Sequence, residues 1–129
     1  MTDPVADLLT RIRNGYMVNK SSITVPHSKM KLELSKILKT HGYLRSVEVK
    51  SQKPQNQILL TLNYINRLPS ITGIRRLSKP GRRLYIRSDK IQPVLSGKGL
   101  AIISTSRGLL TGKQAQKQSI GGELVCKVW

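Results

Sequence analysis

The chain has 129 residues, 38% of them hydrophobic, and its 23 Lys and Arg against 6 Asp and Glu give a net charge of +17. This size fits one compact domain or two small lobes sharing a core, and the charge indicates a polyanionic partner, with nucleic acid favoured and a membrane surface as the competing class. No apolar run reaches bilayer-spanning length, the N-terminus shows no signal pattern, and the single cysteine, Cys126, fits a reducing compartment, so we expect a soluble intracellular protein.

Two helices are predicted in the first half of the chain. Thr2 or Asp3 can cap the first helix, in which Pro4 takes the first helical position. Ser28 can cap the second helix, and Gly42 is suited to end it. The apolar stripe predicted for this second helix comprises Met30, Leu34, Ile37, Leu38 and His41.

Three strands are predicted between and after these helices, at residues 23–26, 44–50 and 57–64. The polar residues 51–56 indicate a hairpin loop between the last two strands. The first lobe is therefore expected to run helix, strand, helix, strand, strand, and residues 66–69 are expected to connect it to a second lobe.

The second lobe is predicted to be rich in strands. Residues 71–77 and 84–86 are expected to pair around a turn at which Pro80 and Gly81 take the central positions of a type II turn. The apolar residues 100–103 indicate a buried strand.

A short helix is predicted at residues 111–118, and Gly121-Gly122 is expected to open a closing strand. Strict alternation in that strand would place Leu124, Cys126 and Val128 on one face and Val125, Lys127 and Trp129 on the other. The fold class predicted is α+β with two small subdomains. These are an N-terminal subdomain at residues 1–65, a connector at 66–69, and a β-rich, RNA-binding subdomain with one short helix at 70–129.

Enzymatic chemistry is not expected. His27 and His41 stand far apart in sequence and, with one cysteine, provide no metal-ligand spacing. The acidic residues form no evident acid/base pair, and residues 97–99 lack the glycine pattern of a nucleotide-binding loop. We therefore expect neither a cofactor nor a metal.

Four clusters are candidates for contact with RNA, and the first two lie in the first lobe. Arg11, Arg13 and Asn14 are expected to point away from the core side of the first helix. Ser28 and Lys29 stand at the N-terminus of the second helix, where free amides and the helix dipole favour phosphate. The alternative for Ser28 is simple helix capping.

The third cluster is a group of cations around the Pro80-Gly81 turn. Arg residues form paired hydrogen bonds to phosphate, although a charge run can also be a solvated face. The cations of this cluster are Arg75, Arg76, Lys79, Arg82, Arg83 and Arg87.

The fourth cluster is hydroxyl-rich and follows the predicted buried strand: Ser104, Thr105, Ser106, Arg107 and Gly108. Hydroxyl groups both donate and accept, so they can reach base edges and ribose hydroxyls, although such a segment can also be a locally bonded turn. RNA is favoured over DNA because no helix-turn-helix, finger or basic zipper is present. A DNA-compacting protein and a peripheral membrane protein remain the alternatives.

The residues resemble a known family from end to end. Residues 3–14 resemble the opening of the bacterial-type small-subunit ribosomal protein eight family, residues 78–85 its central turn, and residues 99–111 and 121–126 its C-terminal signature. The resemblance implies two α+β subdomains. It also implies a structural constituent of the small ribosomal subunit that binds an irregular stem in the central domain of 16S-type ribosomal RNA during assembly.

The resemblance further implies residues, partners and location. Ser104, Thr105 and Ser106 would insert at an internal loop of the stem, with Tyr85 and the segment Gly121, Gly122 and Glu123 beside it. Asp3, Lys29, Lys79 and Arg107 would approach the RNA backbone. Expected partners are small-subunit ribosomal RNA, neighbouring ribosomal proteins five and twelve, and messenger RNA of the protein's own operon, without a membrane. The location would be a cytoplasmic bacterial ribosome or, alternatively, a plastid or mitochondrial one.

The sequence departs from the family pattern at two informative positions. Gly112 stands where the family often has Asp, so capping of the following helix falls to Thr111 or fails. Lys127 stands where an aromatic residue is common, which removes a stacking group and adds a charge.

Overall fold

The computed structural model describes residues 3–129, apart from the side chains of Leu95 and Ser96, so Thr2 as a helix cap lies outside the described residues. The chain forms two compact units. One comprises Pro4–Ile71, and the other comprises Thr72–Trp129 together with Asp3. Both units contain helix and strand, and the second is the more β-rich, so the predicted α+β class is confirmed.

The first unit has the predicted order of helix, strand, helix, strand, strand, followed by a small hairpin. Its elements are α1 (Pro4–Met17), β1 (Ser22–Pro26), α2 (Lys29–Thr40), β2 (Leu44–Lys50), β3 (Gln57–Leu62), β4 (Tyr64–Ile65) and β5 (Leu68–Pro69). The sheet is antiparallel with β3 between β1 and β2. Helix α1 packs against β1, β3 and α2, and α2 packs against β2. The core between them is aliphatic and includes Leu8, Ile12, Leu34, Leu38 and Leu60.

The two predicted residues flank helix α2, with Ser28 as its N-cap and Gly42 directly after its C-cap, His41. The Lys31 amide donates to Ser28 Oγ at 3.2 Å. At the other end Gly42 takes φ +82°, which lets the Tyr43 amide donate to the Leu38 carbonyl at 2.9 Å. The predicted stripe is wrong at both of its ends, because Met30 and His41 are exposed while Lys31 and Ser35 lie on the buried face.

Tyr16 fixes the end of α1 through its hydroxyl group. The hydroxyl donates to the Tyr43 carbonyl at 2.5 Å and accepts from the Asn63 amide at 3.0 Å. The strand predicted at 57–64 is interrupted at Asn63, beyond which β4 and β5 pair as a hairpin. Asn66 and Arg67 form the turn of this hairpin with φ of 53° and 66°, so the predicted connector includes the turn.

The second unit is built on one sheet. Its elements are β6 (Ile74–Arg76), β7 (Tyr85–Ile86), two 3-10 turns (Ser88–Lys90 and Val94–Gly97), β8 (Leu100–Thr105), β9 (Gly108–Thr111), α3 (Gly112–Lys117) and β10 (Gly122–Val128). The strand order is β6-β10-β8-β9, and β7 also pairs with β10. The predicted buried strand is confirmed, since residues 100–103 are all buried.

The predicted pairing of residues 71–77 with 84–86 is wrong. Strand β6 pairs with the end of β10 and β7 pairs with its beginning, so both lie along the edge of β10 opposite β8. The chain leaves this edge after β6 and returns to it at β7. The intervening turn exchanges two hydrogen bonds of 2.9 Å between Lys79 and Arg82, but Gly81 does not adopt the positive φ of a type II turn.

A β-bulge changes the closing strand. Leu124 is opposite Ile103 and Cys126 is opposite Ile102, so Val125 is an additional residue on β10. Val125 and Cys126 are therefore both buried, and the predicted strict alternation is wrong.

Helix α3 shows that Thr111 performs the capping that Asp would provide at position 112. The Gln114 amide donates to Thr111 Oγ1 at 3.1 Å, and the Thr111 amide donates to Gln114 Oε1 at 3.0 Å. This reciprocal capping box starts the helix without an acidic residue.

Burial of Cys126 makes stability depend on pH. Burial raises the pKa of its thiol to about 12, an effect that Arg76 partly opposes. In the unfolded chain a thiol has a pKa of about 8.5, so unfolding releases a proton above that pH. We expect the free energy of unfolding to be unaffected by this group below about pH 8.5 and to fall as pH rises towards the folded-state pKa.

Urea denaturation of wild type and Cys126→Ala across this range measures the effect. The variant should be less stable but less dependent on pH, and equal pH dependences would contradict the prediction.

Candidate nucleic-acid interface

Three neighbouring strands place an aromatic ring, a carboxylate and a hydroxyl side by side. Glu123 on β10 is directly opposite Tyr85 on β7 and directly opposite Ser104 on β8. Directly opposed residues project from the same face of a sheet. We call these three residues the cross-strand row. Tyr85 is 72% exposed, so its ring is accessible to a ligand.

The hydroxyl-rich segment forms the turn between β8 and β9. The Thr105 hydroxyl donates to the Gly108 carbonyl at 2.8 Å and accepts from the Arg107 amide at 3.0 Å. Gly108 takes φ +98° and closes the turn. The Thr105 hydroxyl is thus used to hold the turn, whereas Ser106 lies exposed at its tip. Arg107 extends across to α3, where Nη1 donates to Gln118 Oε1 at 3.2 Å.

The glycine pair permits close approach of the backbone. A Cβ at Gly122 would overlap the Ser104 carbonyl oxygen, and a Cβ at Gly121 would overlap the Ile86 carbonyl oxygen. These residues therefore set the spacing between β10 and its neighbours at the level of the cross-strand row. The sequence identified the pair, but not this packing role.

The turn that carries the cationic cluster is anchored to β10 at both of its ends. Ser78 is buried, and its Oγ accepts from the Leu84 amide at 3.0 Å. Leu124 on β10 receives the Ser78 amide on its carbonyl at 3.0 Å and donates its own amide to the Leu84 carbonyl at 2.8 Å. Residues 79–83, here called the basic loop, are held at both ends by these bonds. Sequence reasoning missed Ser78, whose only signal is a small hydroxyl residue before Lys-Pro-Gly.

An ion pair links the basic loop to the cross-strand row. Arg83 Nη1 lies 2.9 Å from Glu123 Oε2, with side-chain exposures of 48% and 18%. Arg82 and Lys79 on the same loop are exposed. The ion pair therefore places the loop and its cations beside the carboxylate of the cross-strand row.

Two other predicted contact residues are engaged with each other. Arg76 Nε lies 3.2 Å from Asp3 Oδ2, and the two side chains are only 13% and 19% exposed. Arg76 Nη1 also donates to the Val125 carbonyl at 2.6 Å. This arrangement stabilises the bulge, because the carbonyl of the additional residue gains a charged donor.

The remaining predicted residues lie on the first unit. Arg11 is paired with Asp7 at 3.1 Å, and Arg13 and Asn14 are exposed on α1. The Ser28 hydroxyl is occupied by capping, and Lys29 is exposed beside it. The fold thus distributes the predicted residues between helices α1 and α2 of the first unit and the cross-strand row, the β8–β9 turn and the basic loop of the second.

Within residues 3–129 as described, no group of three or more His, Cys, Asp or Glu residues could hold a metal ion. None of the described helices is long and apolar enough to cross a membrane.

Comparison with known proteins gives consistent matches over the whole chain. The family model described as Ribosomal protein S8 matches residues 3–129. The small ribosomal subunit protein uS8 of Halothermothrix orenii is 48% identical over 130 residues, covering 100% of this chain and 98% of that protein. The uS8 proteins of Rubrobacter xylanophilus and Leifsonia xyli are 46% and 47% identical with the same coverage.

The glycine pair provides a test of how the cross-strand row is positioned. Gly122→Ala should destabilise the protein by about 1–3 kcal/mol, because the added methyl group forces β10 and β8 apart. Thermal denaturation measures the loss, and the amide resonance of Ser104 should shift. Gly81→Ala is the control, since nothing lies within 4 Å of its added methyl group. If the two variants were equally stable, the close approach at Gly122 would not be a constraint.

Proposed function

The chain belongs to the ribosomal protein S8 family, and on that premise we propose that it is a structural, non-catalytic component of the small ribosomal subunit. We further propose that it binds an irregular stem in the central domain of 16S-type ribosomal RNA. The observation that carries the proposal is the cross-strand row, which has the hydroxyl-rich turn between β8 and β9 on one side and the basic loop on the other.

The chemistry of this surface suits unpaired nucleotides. An exposed Tyr85 ring offers a face on which an unstacked base can lie. The hydroxyls of Ser104 and Ser106 can donate to and accept from base edges or the ribose 2′-hydroxyl, a group that DNA lacks. Glu123 and Ser104 lie on strands that are paired on both edges, and Tyr85 lies on a strand paired with β10, so the backbone of the row is preorganised.

The cations supply affinity for RNA that does not depend on the nucleotide sequence. Residues 66–129 carry thirteen of the 23 basic residues and two of the six acidic ones. Each phosphate neutralised by Lys or Arg releases counterions, so binding weakens as salt increases. We assign this role to Lys79, Arg82 and Arg107 in the second unit and to Arg13 and Lys29 in the first.

For the other predicted site residues we propose an indirect role, in which they shape or support the RNA-binding surface. We propose that Thr105, Gly108, Gly121 and Gly122 shape the RNA-binding surface. Asp3 and Arg76 would stabilise the sheet beneath it, and Pro80 and Gly81 would shape the basic loop. Arg11, Asn14 and Ser28 would support the first-unit surface.

We extend the proposal to other partners through the same family membership. A messenger RNA stem of similar shape would fit the same row, which would allow repression of the protein's own operon. Ribosomal proteins five and twelve are the proposed neighbours. The bacterial relatives favour a ribosome of the bacterial cytoplasm over an organellar one.

Footprinting on naked small-subunit ribosomal RNA tests the proposal directly. We expect protection confined to one irregular stem of the central domain. The isolated stem should also bind more tightly than a scrambled stem or duplex DNA of equal length at the same salt concentration. Equal binding to duplex DNA would instead support a DNA-compacting protein, and co-sedimentation with anionic vesicles would support a membrane role.

Ser106→Ala should weaken binding to the stem by about 1–2 kcal/mol, or about five- to thirtyfold, because an RNA group loses its partner. The slope of affinity against salt should not change, since no charge is removed. Ser51→Ala changes an exposed serine in the hairpin loop of the first unit and should bind as wild type. Equal affinities for all three proteins would exclude a contact by the Ser106 hydroxyl.

Arg82→Gln should reduce the salt slope by about one unit and weaken binding to stem and scrambled RNA alike, as expected for a phosphate contact. Filter binding over a salt series measures this change. A selective loss for the stem alone would indicate that Arg82 reads a base.

A further inference from the structure

We infer that Glu123 is a specificity-determining residue that acts through Arg83, by holding the guanidinium group away from the phosphates of non-cognate RNA. This inference rests on the proposed function, because it concerns how the same surface discriminates between RNAs. It also changes what the sequence suggests for Arg83, which was expected to be a plain phosphate contact.

A carboxylate at this position reduces attraction to any RNA. Glu123 and Asp89 are the acidic residues of 66–129, and Glu123 occupies the centre of the cross-strand row. At this point it repels phosphate and neutralises one cation of the basic loop. Such an electrostatic cost improves specificity only if the cognate RNA avoids it and other RNAs do not.

The geometry keeps this ion pair intact in the free protein. Glu123 lies on a strand that is paired on both edges, so its backbone cannot shift. Arg83 immediately precedes Leu84, whose amide and carbonyl are both bonded at the base of the loop. The backbone that carries each partner is thus held, and the side chains meet at 2.9 Å, with Arg83 48% and Glu123 18% exposed. A preorganised and partly desolvated pair loses little entropy and is screened less than a fully exposed pair.

The ion pair should therefore respond differently to non-cognate and cognate RNA. A phosphate of a non-cognate RNA that binds Arg83 would leave the Glu123 carboxylate unpaired beside a negative charge. An RNA that places a base amino group or a ribose hydroxyl on Glu123 replaces the lost partner, so Arg83 can move to a phosphate at no such cost. Only a correctly shaped stem would offer both groups together.

The chain contains a matched control for the charge change. Asp89 pairs with Arg87 at 3.5 Å, but these side chains are 59% and 82% exposed. Such a solvated pair restrains its arginine little. Glu123→Gln and Asp89→Asn each raise the net charge by one, and only the first should release a held arginine.

The experiment measures the affinity of the full chain for the central-domain stem and for a scrambled stem over a salt series. For Glu123→Gln we expect affinity for the scrambled stem to rise about five- to tenfold at about 0.1 M salt, with a slope steeper by about one unit. Discrimination between the two RNAs should fall by at least about fivefold. Asp89→Asn should change either affinity by less than about twofold. The double variant Arg83→Gln/Glu123→Gln should regain the wild-type slope on scrambled RNA.

A second variant keeps the inference testable if Glu123→Gln does not fold. Arg83→Gln should leave the salt slope on scrambled RNA unchanged, whereas Arg82→Gln should lower it. The inference is overturned if Arg83→Gln and Arg82→Gln lower the slope equally. It is also overturned if Glu123→Gln matches Asp89→Asn, or if it weakens the stem complex without raising affinity for the scrambled stem, because Glu123 would then not restrain Arg83. If wild type itself shows no preference for the stem, the proposed function fails first.

Discussion

The second unit depends on one strand that is hydrogen-bonded along both edges. Strand β10 pairs with β8 on one side and with β6 and β7 on the other, and every residue of the cross-strand row owes its position to this double pairing. The bulge at Val125 shifts the register of β10 against β8 by one residue and buries two successive residues. Arg76 and Asp3 hold the bulge, and Gly122 gives the strand room beside Ser104.

Much of the fold was readable from local signals, and most of the errors concern contacts between distant residues. Ser28, Gly42 and Thr111 were correctly identified as helix-capping or helix-ending residues, because such signals act within a few residues. The partner of residues 84–86 was wrong, since β10 lies more than thirty residues further along the chain. The bulge had no local signal either. For the candidate site, the sequence identified the residue types, but the 40-residue separation hid the pair of Arg83 and Glu123.

The structure also separates residues that look alike in sequence. Three consecutive hydroxyl residues suggest equivalent contacts, yet the Thr105 hydroxyl is consumed by its own turn while Ser106 is exposed. Arg76 and Arg82 both belong to the basic cluster, but Arg76 is only partly exposed and is bonded to Asp3 and the Val125 carbonyl, whereas Arg82 is exposed. A hydroxyl or a guanidinium can complete the fold or face a ligand, and its neighbours in space decide which. In the proposed function the residues that complete the fold determine where the exposed ones stand.

The position of β10 in chain order has a consequence for synthesis on the ribosome. The strand at the centre of the sheet follows β6, β7, β8 and β9, so each of its partners emerges before the strand that joins them. The sheet of the first unit is complete once β3 has emerged, which permits that unit to fold during translation. In the second unit, β6 and β7 keep unpaired edges until the last strand arrives. Their exposure time is set by the rate of elongation, and nascent chains stalled before Gly122 should be the form most open to proteolysis and to chaperones.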